Sequence, residues 1–190
     1  MLEIRWHGRG GQGSFTAARL LGNAAVLNGQ FAQAFPSFGP ERRGAAVLGF
    51  TRIDEAKITD RSEVKGCDHV IVLDETLMNE KVLEGLRPGG YLMINTATPE
   101  KYAAISEQPN TKLLCLDATG LAQAILKRPV ANTAMLAAFI AATNAVPIES
   151  AKSAVSEGLK PSLVDANITL IETAYQASKE VLQREKNTDC

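Results

Sequence analysis

The chain has 190 residues, enough for one domain with a sizeable core, and its 20 basic residues nearly balance 21 acidic ones. The formal charge of −1 removes the usual electrostatic argument for binding nucleic acid or an anionic membrane. No apolar run is long enough to span a bilayer, "MLEIRWHG" lacks the basic-then-apolar order of a signal peptide, and Cys67, Cys115 and Cys190 lie too far apart to form a disulfide framework. A reducing, cytoplasmic setting is therefore expected.

In chain order, Leu2 to His7 alternates weakly and ends at a glycine turn, as a first strand would. From Gln12 to Asn28 the residues Ala17, Leu20, Leu21, Ala24, Ala25 and Leu27 recur at helical spacing, and Gly29 stops the helix. "QFAQAF" reads as a second strand leading into the turn-rich loop "FPSFGPERRG". "AAVLGFTRI" is a strand, and "AKITD" an extended segment that could pair with it as a hairpin. "DHVIVLD" has the short apolar form of a buried parallel strand. A helix from Leu77 to Leu86 follows, closed by "RPGG", and "YLMIN" and "KLLCLDA" give two more strands. The last third is helical: "NTAMLAAFIAAT", "IESAKSAVSEGL" and "SLVDANITLIETAYQASKEVLQRE", with Val164, Ile168, Ile171, Tyr175 and Leu182 along one face of the last. This order predicts a single α/β domain over residues 1–190. It is Rossmann-like, with a mostly parallel sheet, helices on both faces and a helical C-terminal third.

The stretch "WHGRGGQG" fits a G-x-G-x-x-G pattern through Gly8, Gly10 and Gly13, between a strand and a helix. Glycines there let the backbone approach a pyrophosphate, and the helix start supplies amide donors. The fingerprint also wants an acidic residue roughly twenty positions on, to hold a ribose. Here the second strand ends in Ala34, Phe35 and Pro36, with no carboxylate, which argues against NAD. Arg5, His7, Arg9 and Gln12 surround the glycines, so the turn can serve as an anion site. Alternatively it simply packs helix on strand.

Arg42 and Arg43, beside Glu41, offer planar forks suited to phosphate or carboxylate and should lie at the same sheet end. Phe35 and Phe38 nearby favour an interface instead. Asp74 stands at a strand end where α/β sites gather, yet "DETL" also suits a helix cap, as do Asn132 and Thr133. His7, His69 and the scattered cysteines form no close ligand set for zinc or an iron–sulfur cluster, so no metal is expected on this chain. No triad, nucleophile elbow or carboxylate pair is present, and the chain is expected to be no catalyst by itself.

"RWHGRGGQG", "FPSFGPERRGAAVLGFTRI", "RSEVKGCDHVIVLDETL" and "NTAML" together resemble the gamma subunit of 2-oxoacid:ferredoxin oxidoreductases of the pyruvate synthase type, in the right order and over nearly the whole chain. The chain departs from that family at Ala46 and Ala134, where proline is usual, and both changes are expected to loosen loops. The resemblance implies a cytoplasmic multi-subunit enzyme that decarboxylates a 2-oxoacid and passes the acyl group to coenzyme A. Thiamine diphosphate, Mg2+ and [4Fe-4S] clusters would reside on partner alpha, beta and ferredoxin-like delta subunits. It further implies that Arg9, Gly10, Gly11, Gln12, Arg42 and Arg43 are candidates to meet coenzyme A or a neighbouring subunit. The 2-oxoacid, the electron acceptor and the subunit stoichiometry stay open.

Two other classes remain open: a free dinucleotide-binding module, resting on Gly8, Gly10 and Gly13 alone, and a homodimeric scaffold built on the C-terminal helices. Calorimetric titration with NAD(H) is expected to give a flat trace, because the ribose-binding acid is missing; saturable heat would restore the dinucleotide reading.

Overall fold

The structure is a computed structural model that describes residues 1–37, 46–106 and 110–188. Six strands form one sheet: β1 Leu2–Arg9, β2 Phe31–Pro36, β3 Ala46–Asp54, β4 Cys67–Val72, β5 Leu86–Asn95 and β6 Thr111–Leu116. Their spatial order is β2-β3-β1-β4-β5-β6. β1, β4, β5 and β6 pair in parallel, while β3 is antiparallel to both β1 and β2. Among the described strands β3 alone is therefore reversed, and the sheet is mostly parallel, as expected.

The helices are α1 Ser14–Leu27, α2 Glu80–Leu83, α3 Ala103–Ser106, α4 Ala118–Leu126, α5 Asn132–Thr143, α6 Ile148–Gly158 and α7 Pro161–Thr188. They divide unevenly between the two faces. α1 and α4–α7 cover one face, where Ile4, Trp6, Ile71, Met93 and Leu114 meet the buried Leu136, Phe139 and Ile171. Short elements cover the other face, where Val64 and Val82 pack on Phe50, Val70, Val72 and Leu92. The asymmetry has a cause in the sequence: only the first face receives helices of three turns or more, the length at which a stripe of side chains can bury continuously.

α5 is apolar around nearly its whole circumference and is wholly buried from Asn132 to Ala141, sandwiched between the sheet and α7. On α7 the buried centre runs through Asn167, Leu170, Ile171, Ala174 and Ser178, with Ile168, Tyr175 and Leu182 at its flanks. The expected stripe is thus displaced by part of a turn. Ala134, expected to loosen a loop, lies fully buried in the first turn of α5, a position where neither alanine nor proline breaks an intrahelical bond.

Two local expectations fail for physical reasons, and one helix carries no sequence expectation at all. "RPGG" does not close a helix but forms the start of β5, and the stretch before it holds only a 3-10 turn, Glu75–Leu77, and the single-turn α2. Gly85, at φ 76, makes the turn from α2 into that strand. "AKITD" is not a strand; β3 finds its hairpin partner in β2, with Phe35 opposite Phe50. "ATGLAQAIL" forms α4, capped by Asp117 accepting from the Gly120 amide at 2.7 Å, a start signal the apolar pattern alone does not display.

At the amino end of the sheet a buried ion network ties the strands together. Arg52, 1 % exposed, donates Nε to Glu3 Oε1 at 2.9 Å and its Nη groups to the Asp60 and Ser62 carbonyls. Glu3 Oε2 takes Arg87 Nη2 at 2.7 Å, and Arg87 Nη1 reaches Asp68 at 2.9 Å. Arg52 also lies 5.4 Å from the Phe35 ring centre, and Phe35 stacks on Phe50. Arg52→Ala would leave Glu3 under-compensated and the loop carbonyls unpaired, so a loss of about 3–5 kcal/mol is expected in urea unfolding. Trypsin should then cut faster at Lys57, Arg61 and Lys65; unchanged stability and cleavage would refute this role for Arg52.

Candidate functional site

Because β1, β4, β5 and β6 run in parallel, their carboxyl ends share one edge of the sheet, the usual location of α/β sites. The glycine turn after β1, Asp74 after β4, Asn95 at the end of β5 and Asp117 after β6 all lie there. Ser37 and Ala46 sit at the same edge, since the Ser37 amide bonds to the Leu48 carbonyl and Ala46 pairs with Arg9. Arg42 and Arg43, with Glu41 and Phe38, lie outside the described residues.

Two glycines bring α1 close to the sheet. A Cβ on Gly8 would stand 3.1 Å from Ser14 Cβ, and one on Gly49 would stand 3.3 Å from Phe15 Cα, Ser14 O and Ala18 Cβ. The turn itself then closes with the Gln12 amide on the Arg9 carbonyl, at 3.0 Å, and the Arg9 amide on Gln12 Oε1, at 2.6 Å. Gly11 and Gly13 take φ values of 94 and 79, where a side chain would be strained. At this edge the glycines both shape the turn and allow close packing.

Asp74 organises the polar side chains of the turn. Its Oδ2 accepts from Arg9 Nε at 3.1 Å and Gln12 Nε2 at 2.8 Å, while Oδ1 accepts from the Thr76 amide and hydroxyl. Burial opposes its ionisation, but the Thr76 and Gln12 hydrogen bonds and the Arg9 charge outweigh that and hold its pKa below the usual value. Asp74 is both the cap of the 3-10 turn and the anchor of the glycine turn. Arg9 still shows 38 % of its side chain to solvent, so it can meet a ligand while paired. Glu75 is engaged likewise by Thr96 and Tyr102.

Arg5 and His7, expected around the mouth, face inward. Arg5 Nη2 donates to the Val82 and Glu84 carbonyls at 2.8 and 2.7 Å, and its Nε donates to His7 Nε2 at 3.0 Å. A nitrogen that accepts carries no proton, so His7 is neutral. Burial, and next the Arg5 charge, lower its pKa from 6.5 to about 4. Phe35, expected to favour an interface, is half-buried against Phe50. Among exposed apolar groups near the turn is Phe15, in the first turn of α1.

Asn132 carries more than its sequence context suggests. It is not the cap of α5, a place held by Ala131. Its Oδ1 accepts from the Thr133 amide at 2.9 Å, and Thr133 Oγ1 donates to Asn167 Oδ1 at 2.8 Å, which ties α5 to α7. The Asn132 side chain meets the glycine turn: a Cβ on Gly13 would lie 2.6 Å from its Nδ2. In the sequence Gly13 belongs to a turn pattern and Asn132 to an Asn-Thr helix start, with nothing to join them.

No group of three or more His, Cys, Asp or Glu side chains suited to a metal gathers among the described residues. Burial pushes the thiol of Cys67 up, as befits a structural thiol. The dinucleotide reading loses a second support, because β3 stands between β1 and β2 and the second strand does not adjoin the glycine strand.

Residues 3–177 match the family model for pyruvate ferredoxin/flavodoxin oxidoreductase. The chain belongs to that family. It is 47 % identical over 176 residues to pyruvate synthase subunit PorC of Methanocaldococcus jannaschii, covering 92 % of this chain and 96 % of that protein. The common gamma subunit of the pyruvate and ketoisovalerate oxidoreductases of Thermococcus kodakarensis is 43 % identical, over 92 % and 96 % of the two chains. The crystal structure of the pyruvate oxidoreductase subunit PORC from Thermotoga maritima superposes with a TM-score of 0.80 at 36 % identity, covering 92 % of this chain and 95 % of that one. This oxidoreductase subunit therefore carries the gamma-type α/β fold that its four sequence motifs resembled.

His69 shares the half-buried, neutral state of His7. Its Nδ1 accepts from the Tyr91 amide at 3.1 Å, and burial foremost lowers its pKa to about 4. The unfolded chain protonates both imidazoles near 6.5, whereas the folded one keeps them neutral to about 4. Acid between those values therefore favours unfolding, by about 2–4 kcal/mol per histidine. Urea midpoints should be constant above pH 7 and fall from 6.5 toward 4.5, with a smaller fall in His69→Phe. A midpoint independent of pH across that window would contradict the neutral assignment.

Proposed function

We propose that this gamma subunit, a single α/β domain over residues 1–190, docks on the catalytic subunits of a cytoplasmic oxidoreductase that converts a 2-oxoacid to an acyl-CoA. The observation that carries the reading is the carboxyl edge of the sheet, where a glycine turn precedes α1 and no side chain caps that helix. Arg9, partly exposed, flanks it. A helix start of that kind favours an anion, and guanidinium groups extend the attraction to several phosphates. Coenzyme A, with its diphosphate and phosphomonoester, suits such an edge. Arg9, Gly10, Gly11, Gln12, Arg42 and Arg43 are its proposed contacts.

Thiamine diphosphate, Mg2+ and [4Fe-4S] clusters belong, in this reading, to the alpha, beta and delta partners. The described part of this chain does not suit a cluster: Cys67 and Cys115 stand on β4 and β6 with β5 between them. What this chain contributes is binding and positioning. Its turn amides and arginines hold the phosphate end of coenzyme A, leaving the thiol free to reach chemistry on another subunit. The relatives named for pyruvate and for ketoisovalerate support a small 2-oxoacid as substrate of the complex.

The exposed Phe15 beside the turn favours a second use of the same edge, as a subunit interface. One experiment separates the two. In the purified complex, Arg42→Ala/Arg43→Ala is expected to raise the KM for coenzyme A about tenfold or more while subunits stay together. An unchanged KM in an intact complex would sink the coenzyme A contact, and dissociation of the complex would assign the arginines to the interface. Native purification should bring larger subunits with thiamine diphosphate and iron; a lone homodimer would overturn the docking reading.

A further inference from the structure

Exposed apolar side chains flank the outermost strand, β2: Phe31 on the strand itself, 46 % exposed, and Phe15 and Val26 on α1, 37 % and 57 % exposed. Phe15, Gly22 and Val26 recur at seven- and four-residue intervals, so they share one line along the helix. Gly22 lies over Ala34 and Ala32, 3.5 and 3.8 Å from a Cβ built on it, which carries that line above β2. Among the described residues nothing pairs with the outer side of the strand. β2 also has no charged residue, although charge is what commonly guards a free sheet edge.

The sequence of that edge is a palindrome about Gln33: Phe31, Ala32, Gln33, Ala34 and Phe35 read the same in both directions. A two-fold axis through Gln33 sets β2 antiparallel to β2 of a second copy with every residue opposite its counterpart in the palindrome. The backbone has the parity this needs. The Ser37 amide bonds to the Leu48 carbonyl on β3, so Phe31, Gln33 and Phe35 turn their backbone groups to β3, and Ala32 and Ala34 turn theirs outward. Ala32 of one copy can then exchange amide and carbonyl bonds with Ala34 of the other. Pro36 shares the outward parity but stands past the palindrome, where its missing N–H does not interrupt the pairing.

We infer that β2 is a dimerisation edge, on which a second copy of this chain pairs its own β2 about an axis at Gln33 and continues the sheet across both molecules. On the second face, where Phe35 meets Phe50 and Arg52, Phe31 of each copy lies opposite Phe35 of the other. On the helical face α1 packs across β2 and β3, so its axis lies about one strand spacing, roughly 5 Å, from the two-fold. The two α1 helices then stand about 10 Å apart, an ordinary helix-packing distance, with Phe15 of one copy toward Val26 of the other. Arg19, between them on the helix, is turned aside to the Gly158 carbonyl at 3.5 Å. A specific interface takes about 800 Å2 from each partner, more than a short strand supplies, so the α1 flank is part of it. The pairing goes beyond the docking and coenzyme A readings, and it uses β2 rather than the C-terminal helices.

The test uses the full chain. Sedimentation equilibrium should show a monomer–dimer equilibrium with a Kd of about 10 μM or tighter. The two residues on the axis form a non-hydrogen-bonded pair with Cα atoms about 4.5 Å apart, within reach of a disulfide. Gln33→Cys should therefore give a disulfide-linked dimer under mild oxidation, whereas Gln30→Cys, about 20 Å from its symmetry mate, should give no more than the unaltered chain. Phe31→Lys, at an exposed position, should weaken dimerisation at least about tenfold and leave the urea midpoint of the dilute monomer unchanged. A chain still monomeric at about 200 μM, linkage no greater at position 33 than at position 30, or a dimer indifferent to Phe31→Lys would each overturn the inference. Where Gln33→Cys fails to fold, Phe31→Lys decides. Failure of the docking reading is distinguishable: a dimer linked through position 33 that brings no larger subunits from native purification would refute docking and uphold the pairing.

Discussion

Everything at the functional edge depends on how closely α1 approaches β1 and β3. Side chains at positions 8 and 49 would bring a Cβ within 3.1–3.3 Å of the start of the helix, so any residue but glycine would press α1 outward from its present seat. The approach lets Thr51 Oγ1 donate to the Ala18 carbonyl at 2.9 Å while accepting Trp6 Nε1 at 3.1 Å, so the buried indole is satisfied by the same contact that seats the helix. It also fixes where the helix begins, and hence where the glycine turn meets Asn132. One steric condition thus sets the core and the site together.

Charge is handled by a different rule. β1 places Ile4 and Trp6 in the helical core, but Glu3, Arg5, His7 and Arg9 alternate onto the opposite face. A polar row down a central strand would be unstable unless each member found a partner. Glu3 takes two arginines, Arg5 holds two carbonyls, His7 stays neutral as an acceptor, and Arg9 meets Asp74. The thin cover over that face, a loop and single-turn helices, is held by these bonds as much as by apolar contact.

The sequence displayed what periodicity can encode. The strands around "DHVIVLD" and "YLMIN", the glycine-turn start of α1 and the three C-terminal helices all follow from spacing and turn residues. The four motifs carried the family. Hidden were the features that depend on residues distant in sequence. Nothing local says that β3 inserts between β2 and β1, that Arg52 reaches Glu3, or that Asn132 meets Gly13. "RPGG" shows a related limit: Pro and Gly mark a break, but parallel pairing with β4 and β6 decided that the break lies inside a strand margin.

The reversed strand has a consequence for how the molecule opens. Within the sheet β2 pairs with β3 alone, and β3 pairs onward with β1, while α1 packs across both. Removing the pair would leave β1, β4, β5 and β6 as an unbroken parallel sheet with most of the helical layer still upon it. Because Thr51 bonds to the Ala18 carbonyl and Gly49 lies against the start of α1, the β2–β3 pair could leave the sheet only by giving up its contact with α1. Any shift of that margin would be felt at the glycine turn, where α1 begins.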